Sequence, residues 1–246
     1  MKKITILTLL LLAMTLFIFC DSTAEAKIKK GTDANGNTWK YNTKTNTLTF
    51  KGNSSLEEYD DCSSGVPSWF KFSEKAKKVV IKGKISKISY GTFRNFENLE
   101  NVIMADSVKN IDSCAFSSCK KLKQIKFSKN LKKIGSYAFD NGNLKRIELP
   151  NSLQIIGRGA FENQLKLKRI TIPANVKKIG DNVFWNCPNL TRMIIKSKKL
   201  KYIGEDILVG AEKKVIVKVP KECKKNYKDM ISKGIENSVI RFKVIK

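Results

Sequence analysis

LKRITIPANVKKIGDNVF, residues 167–184, has two close relatives upstream: LKRIELPNSLQIIGRGAF from Leu144 and LKQIKFSKNLKKIGSYAF from Leu122. The shared core is Ile-x-x-x-x-Phe. It stands at Ile88/Phe93, Ile111/Phe116, Ile134/Phe139, Ile156/Phe161 and Ile179/Phe184, and more weakly at Ile203/Leu208, with steps of 23, 23, 22, 23 and 24 residues between successive Ile. A second column, apolar-x-apolar, precedes each Ile by nine or ten residues: Val79/Ile81, Val102/Met104, Ile125/Phe127, Ile147/Leu149, Ile170/Ile172 and Met193/Ile195, with Val217/Val219 as a seventh. Two columns holding one period in this length range mark a solenoid.

Each repeat has a physical reading. The apolar-x-apolar piece alternates like a short strand with both apolar side chains turned inward. Pro150, Pro173, Pro220 or a polar residue ends it, and Ser107, Asn130, Ser152 and Asn175 follow where side chains can satisfy turn backbone groups. Ile and Phe then sit on a tight or helical segment, and Leu99, Leu122, Leu144, Leu167 or Leu190 leads into the next strand. A single repeat cannot bury its Ile, Phe and Leu, whereas stacked repeats bury them in one continuous core.

The form L-x-x-L-x-L-x-x-N of leucine-rich repeats fits the first nine positions, as in LKRITIPAN, but the next apolar residue comes one position early, at Val108, Leu131, Leu153 and Val176. With KKIGSYAF, IIGRGAF and the NC before PNL in register, this variant resembles the BspA-like leucine-rich repeats of bacterial and some protozoan surface proteins. The resemblance covers about residues 79–219. It implies a right-handed coil with a parallel β-sheet on one face and short helical or turn segments on the other. NTWKYNTKTNTLTFKG with Pro67 and Trp69 looks like the hairpin-rich N-terminal cap of such proteins, and VPKECKKNYKDMISKG like their closing helix. The expected organisation is a signal segment over 1–26, an N-terminal cap over 27–78, the solenoid over 79–219 and a C-terminal cap over 220–246.

The signal segment is read from Lys2 and Lys3, an apolar run from Ile4 to Phe19 and the small-x-small site Ala24-Glu25-Ala26. That layout predicts an exported, secreted or cell-surface protein; lipid anchoring at Cys20 is the alternative, although Phe19 is a poor residue before a lipidated cysteine. The net charge of +26 belongs to the part that follows, because the segment's two lysines balance Asp21 and Glu25. An exported surface so positive attracts polyanions such as teichoic acid, sulfated or sialylated glycans, anionic lipid or extracellular DNA. A lysine-, asparagine- and isoleucine-rich composition with only six Arg is the other source of that charge.

Histidine is absent, which removes Ser-His-Asp and Cys-His nucleophilic systems and His-ligated metals. No phosphate-binding loop or cofactor fingerprint occurs, so neither enzyme nor cofactor is expected. Five cysteines follow the signal segment at irregular spacings, with no Cys-x-x-Cys pair. Cys119 and Cys187, three coils apart, are about 15 Å from each other at sheet spacing, too far for a disulfide. Cys62 and Cys223 fall in opposite caps, and five residues of helix would point Cys114 and Cys119 apart. Free thiols are expected, with Cys119 and Cys187 in the core. Asp33-Ala-Asn35-Gly36-Asn37 is a turn before the first hairpin and not a calcium loop, since position twelve is Lys44.

Ligand-binding candidates lie on the open sheet face. The column before the strand reads Lys78, Asn101, Gln124, Arg146, Arg169, Arg192, Ile216; the column between the apolar positions reads Val80, Ile103, Lys126, Glu148, Thr171, Ile194, Lys218. Three of the six Arg therefore stack in consecutive coils, bordered by Lys123, Lys145 and Lys168. Each planar guanidinium can give two parallel hydrogen bonds to a carboxylate, sulfate or phosphate. The competing reading is that Arg stems cover apolar sheet surface, with heads solvated or paired to Glu148. A second basic set, Lys87, Lys109, Lys132, Lys133, Lys177, Lys178 and Lys201, lies on another side and reads as a solvated face. Trp185 takes the place of Arg94, Ser117, Asp140 and Glu162 in other repeats; it is either packed under the C-terminal cap, the preferred reading, or an anchor for a partner. The resemblance implies adhesion or ligand recognition, with a host or microbial surface protein or an anionic glycan as partner. The alternative is a structural protein of envelope or biofilm that holds polyanions by diffuse charge.

Overall fold

The computed structural model of the chain describes residues 26–60, 65–232 and 240–245; the signal segment with Cys20, and Cys62, lie outside the described residues. A hairpin opens the fold: β1 (Ile28–Thr32), β2 (Thr38–Asn42) and β3 (Thr47–Gly52). Two strands per coil then alternate, β4 (Lys78–Gly83) with β5 (Lys87–Ile88), β6 (Asn101–Ile103) with β7 (Asn110–Ile111), and β8 (Gln124–Lys126) with β9 (Lys133–Ile134). The next coil contributes only β10 (Ile155–Ile156). After it come β11 (Arg169–Ile172), β12 (Lys178–Ile179), β13 (Arg192–Ile195), β14 (Tyr202–Ile203) and β15 (Val215–Val219), then helix α1 (Lys224–Ile231) and β16 (Ile240–Val244).

The strands form two sides of the coil. On the open face the order is β1-β2-β3-β4-β6-β8, antiparallel through the hairpin and parallel from β3 onward. After one coil without a strand there, β11-β13-β15-β16 continues that face. The second side is the six-stranded parallel sheet β5-β7-β9-β10-β12-β14, in which each inward Ile pairs with the Ile of the next coil.

The third side holds stacked turns and no helix among the described residues. Its backbone is tied between coils: the N–H groups of Phe93, Phe116, Phe139, Phe161 and Phe184 donate to carbonyls one coil on, at 2.8–3.2 Å. A helix would spend those donors within itself. Left-handed backbone at two positions per coil turns the chain instead. One column reads Gly91, Cys114, Tyr137, Gly159, Asn182 and Asp206, the other Asn95, Ser118, Asn141, Asn163, Asn186 and Gly210. Gly and Asn reach that conformation cheaply, which is why they dominate.

Inside, the Ile, Leu and Phe columns are buried. Five phenylalanines stack face over face, with ring centroids 5.2, 5.2, 5.5 and 5.9 Å apart from Phe93 to Phe184. Cys119 and Cys187 are buried, and their thiols donate to the carbonyls of Phe93 and Phe161 at 3.2 and 3.5 Å. Cys114 and Cys223 are free as well and only half-buried; turn geometry, not helix, separates Cys114 from Cys119.

Polar side chains knit the turns as expected from their positions. Asn130 and Asn175 donate to the carbonyls of Asp106 and Asn151, both at 2.9 Å, and Ser152 donates to Leu131 at 2.7 Å. Ser107 departs from the pattern, since its buried hydroxyl has no partner. Phe50 meets Trp69 and Phe93 edge-on at 5.1 and 5.5 Å, which closes the N-terminal end. Asp33 is the centre of a turn, its Oδ1 accepting from the N–H groups of Asn35 and Asn37 at 3.0 and 2.7 Å. At the other end α1 buries Tyr227 and Ile231, and β16, a strand absent from the sequence reading, pairs with β15.

Candidate functional site on the open sheet face

The open face is interrupted at one coil, and a hollow forms there. Phe139 and Leu144 are one residue closer in sequence than Phe116 and Leu122 or Phe161 and Leu167. In other coils a residue three after Phe (Cys119, Cys187) donates to the preceding coil's Phe carbonyl; here that place is Gly142, with no side chain to give. Gln164, in the same place one coil later, donates to the Phe139 carbonyl as those cysteines do to theirs, and its longer side chain also reaches back into the short coil to accept the Leu144 N–H. The shortened coil takes a tighter path, and residues 144–149 form no strand. Leu149 and Ile125, read as inward, are only partly buried beside this break.

A concavity of about 610 Å3 opens over the break and the two coils after it. Lys145, Arg146 and Glu148 contribute from the shortened coil, Lys168, Arg169 and Thr171 from the next, and Arg192 and Lys196 from the third. Ile147, Leu149, Ile170, Ile194 and Pro173 supply its apolar floor. Six cations thus face one carboxylate, and a low-dielectric floor beneath like charges focuses their field on the space above.

The register settles how the arginines stand. Arg169 pairs with Arg192 across β11 and β13, a strand interval of about 4.8 Å. Arg146 continues the column but belongs to no strand, so the expected three-rung ladder is two rungs on paired strands and one on the bent coil. Arg146 also binds Glu148, Nη2 to Oε1 at 2.9 Å, with both side chains largely exposed. An exposed pair of this kind is worth about 0–1 kcal/mol, so an incoming anion competes for the guanidinium at little cost.

Other expected site residues fall outside the hollow. Gln124 and Lys126 are on β8, beyond the break, and Lys123 is ion-paired to Glu100 at 2.9 Å. That hydrogen bond and charge hold the Glu100 carboxyl below its usual range. These three residues lie on the same face without lining the concavity. Trp185 stands on the turn side with 36% of its surface exposed, so the C-terminal cap does not enclose it. Asn151 and Lys196 line the hollow and were absent from the sequence reading, because neither occupies the two columns that carry the repeat.

The repeat signature matches the family profile described as the BspA type leucine rich repeat region, in six copies, over residues 66–191 and 116–237. The chain belongs to that family. Among solved structures, this BspA-type chain is similar in fold to a leucine-rich repeat protein from Bacteroides ovatus ATCC 8483, at 21% identity over 85% of this chain and 66% of that one, with a TM-score of 0.52. Looser likenesses are to the leucine-rich repeat protein of T. pallidum, at 18% identity, 89% and 97% coverage and a TM-score of 0.45, and to a leucine rich cell surface protein from Faecalibacterium prausnitzii A2-165, at 14%, 87% and 100%, and 0.32. No curated protein matches the chain. Among the described residues no helix is long and apolar enough to cross a membrane.

Proposed function

We propose that this BspA-type protein is a non-catalytic binding protein, exported to the cell surface or beyond, that recognises an anionic partner through the hollow on its open face. The observation that carries the reading is the pairing of Arg169 with Arg192 in register, with Arg146 one coil before them and one carboxylate among the lining residues. Guanidinium forks a strand apart repel each other and each offers two parallel donors, so a carboxylate, sulfate or phosphate group on the partner is bound and repulsion relieved together. The partner is a surface protein or an anionic glycan carrying such groups, and basic charge elsewhere speeds the encounter. Adhesion is the biological role that this recognition serves.

The test compares the protein with an Arg146→Ala/Arg169→Ala/Arg192→Ala variant on matrix proteins, anionic glycans, teichoic acid and DNA at physiological salt. Recognition at the hollow requires one partner to lose at least tenfold, about 1.4 kcal/mol. Equal binding of every polyanion by both proteins supports instead a structural role through diffuse charge.

A further inference from the structure

The N-terminal end of the same face carries a second hollow, about 730 Å3, over β1 to β4. Lys30, Lys40, Lys51 and Lys82 line it, together with the hydroxyl side chains of Thr32 and Thr49. Register sets Lys30 opposite Lys40 across an antiparallel pair and Lys51 beside Lys82 across a parallel one. Like charges placed opposite each other destabilise a sheet. None of these four lysines has an ion-pair partner among the described residues. Two adjacent like-charge pairs without a carboxylate form a place where an anion restores balance.

Both hollows open on the same side of the solenoid. The outward row runs Lys30, Lys40, Thr49, Val80, Ile103, Lys126 by direct strand pairing, and the repeat carries it on to Glu148 and Thr171 in the arginine hollow. Five strand steps separate β2 from the Arg146 coil, which is about 24 Å at sheet spacing. A small anion fills one hollow; only a chain reaches both.

The chemistry of that side narrows what that chain is. Proteins that hold single-stranded nucleic acid offer aromatic rings on which bases stack. Here Trp39, the one aromatic residue lining the lysine hollow, is 3% exposed with its ring turned into the core, and among the described residues the large exposed aromatics, Trp185 and Tyr202, stand on the turn side and on β14, away from the open face. Lysine point charges and arginine forks remain, and both suit phosphate.

We propose that the two hollows are subsites for one linear polyphosphodiester, phosphates strung on a flexible aliphatic backbone as in a glycerol phosphate polymer, laid across the strands. This rests on the anion-binding reading of the arginine hollow. Joining two subsites through one ligand raises affinity by about 10²–10⁴ when the linker spans them and by nothing when it does not.

The test measures binding of glycerol phosphate oligomers shorter than the 24 Å span and longer than twice that span, at physiological salt. The protein is compared with a Lys30→Ala/Lys40→Ala/Lys51→Ala/Lys82→Ala variant and with the triple arginine variant, after thermal melts without ligand show all three folded. The expected result is long-chain binding to the parent at least tenfold tighter than short-chain binding. Each variant loses that gain from length and keeps only the short-chain binding of the hollow it leaves intact. Long-chain affinity unchanged by the lysine substitutions overturns the second subsite and leaves the arginine hollow standing. Loss in the lysine variant alone sinks the arginine reading, and with it the bridging. A single-stranded DNA or sulfated glycan of equal charge that gains equally from length overturns the choice of ligand.

Discussion

Gln164 is bound to Phe139 across one coil of the solenoid: its Nε2 donates to the Phe139 carbonyl, while its Oε1 takes the N–H of Leu144 at 3.1 Å. Both backbone groups belong to the coil that is one residue short, and Gln164 itself is fully buried. Removing the amide orphans a buried donor and a buried acceptor, each worth about 1–3 kcal/mol. Gln164→Ala is therefore expected to lower unfolding stability by about 3 kcal/mol in a urea titration. Gln164→Met separates the causes, because it fills the space without the hydrogen bonds. Full stability in the Met variant would mean that volume, and not hydrogen bonding, holds the short coil.

Glu148 is the one acid in the hollow, and its partner Arg146 stands among five other cations. Neutralising it frees a guanidinium and removes repulsion toward an incoming anion. Glu148→Gln is expected to tighten binding of any anionic partner of the arginine hollow several-fold. Stability should stay within about 1 kcal/mol, since the ion pair is exposed. Isothermal titration against the same ligand panel reads both effects, and a variant that binds anions more weakly would show that Glu148 orients Arg146 for its partner.

The C-terminal end is fastened by a clasp whose strength is expected to depend on pH. The buried Tyr227 hydroxyl donates to the Ser197 carbonyl and accepts the Leu200 N–H, both at 3.2 Å, which fastens α1 to the last coils. Burial pushes its phenol up to about 12, against an ordinary value of 10.0. A proton held more tightly in the folded state stabilises it fully below pH 10, and that contribution fades as pH rises toward 12. The helix is thus expected to loosen between those values, with Tyr227→Phe removing the step. Hydrogen exchange across 224–231, followed from pH 8 to pH 11.5 by pH-corrected rates, would show protection falling first in the parent. The same profile in both proteins would rule the clasp out.

The columns that carry burial were legible from sequence, because an inward Ile, Leu or Phe leaves a periodic apolar mark whatever the backbone does around it. The outward columns followed at once, and strand register placed Lys78, Asn101 and Gln124, then Arg169 and Arg192, as the repeat implied. The hollow was only half legible. Its arginines stood out, yet the coil that forms no strand is the one that is a residue short between Phe139 and Leu144, and a step of 22 residues among steps of 23 and 24 carries no mark of such a break. Gly142 followed by Gln164, in the column that also holds Phe96, Cys119 and Cys187, was the available clue. The lysine hollow was not legible, since Lys30, Lys40, Lys51 and Lys82 lie mostly outside the repeat and meet through hairpin register. Periodicity alone does not separate helix from turn on the third side, although the Asn at 95, 141, 163 and 186 and the Gly at 91 and 159 mark left-handed backbone more directly than any periodicity.

That left-handed column supplies a last test, because it places unlike residues in one conformation. Gly159 and Cys114 occupy equivalent positions with φ of 55° and 56°. For Cys114 the Cβ carries a strain of about 1–2 kcal/mol that glycine avoids. Its thiol side chain is only half-buried, so little packing is lost with it. Cys114→Gly is therefore expected to raise stability by about 1 kcal/mol, and Cys114→Ala, which keeps the Cβ, to leave it unchanged or lower. The reverse change is harsher: a Cβ on Gly159 would lie 2.4 Å from the Tyr137 ring. Gly159→Ala should cost more than Cys114→Gly gains, since backbone strain adds to a clash with a packed ring. Thermal melts of the three variants decide the matter. Equal stability for Cys114→Gly and Cys114→Ala would show that stacking against neighbouring coils, and not the Cβ, sets the energy of this turn.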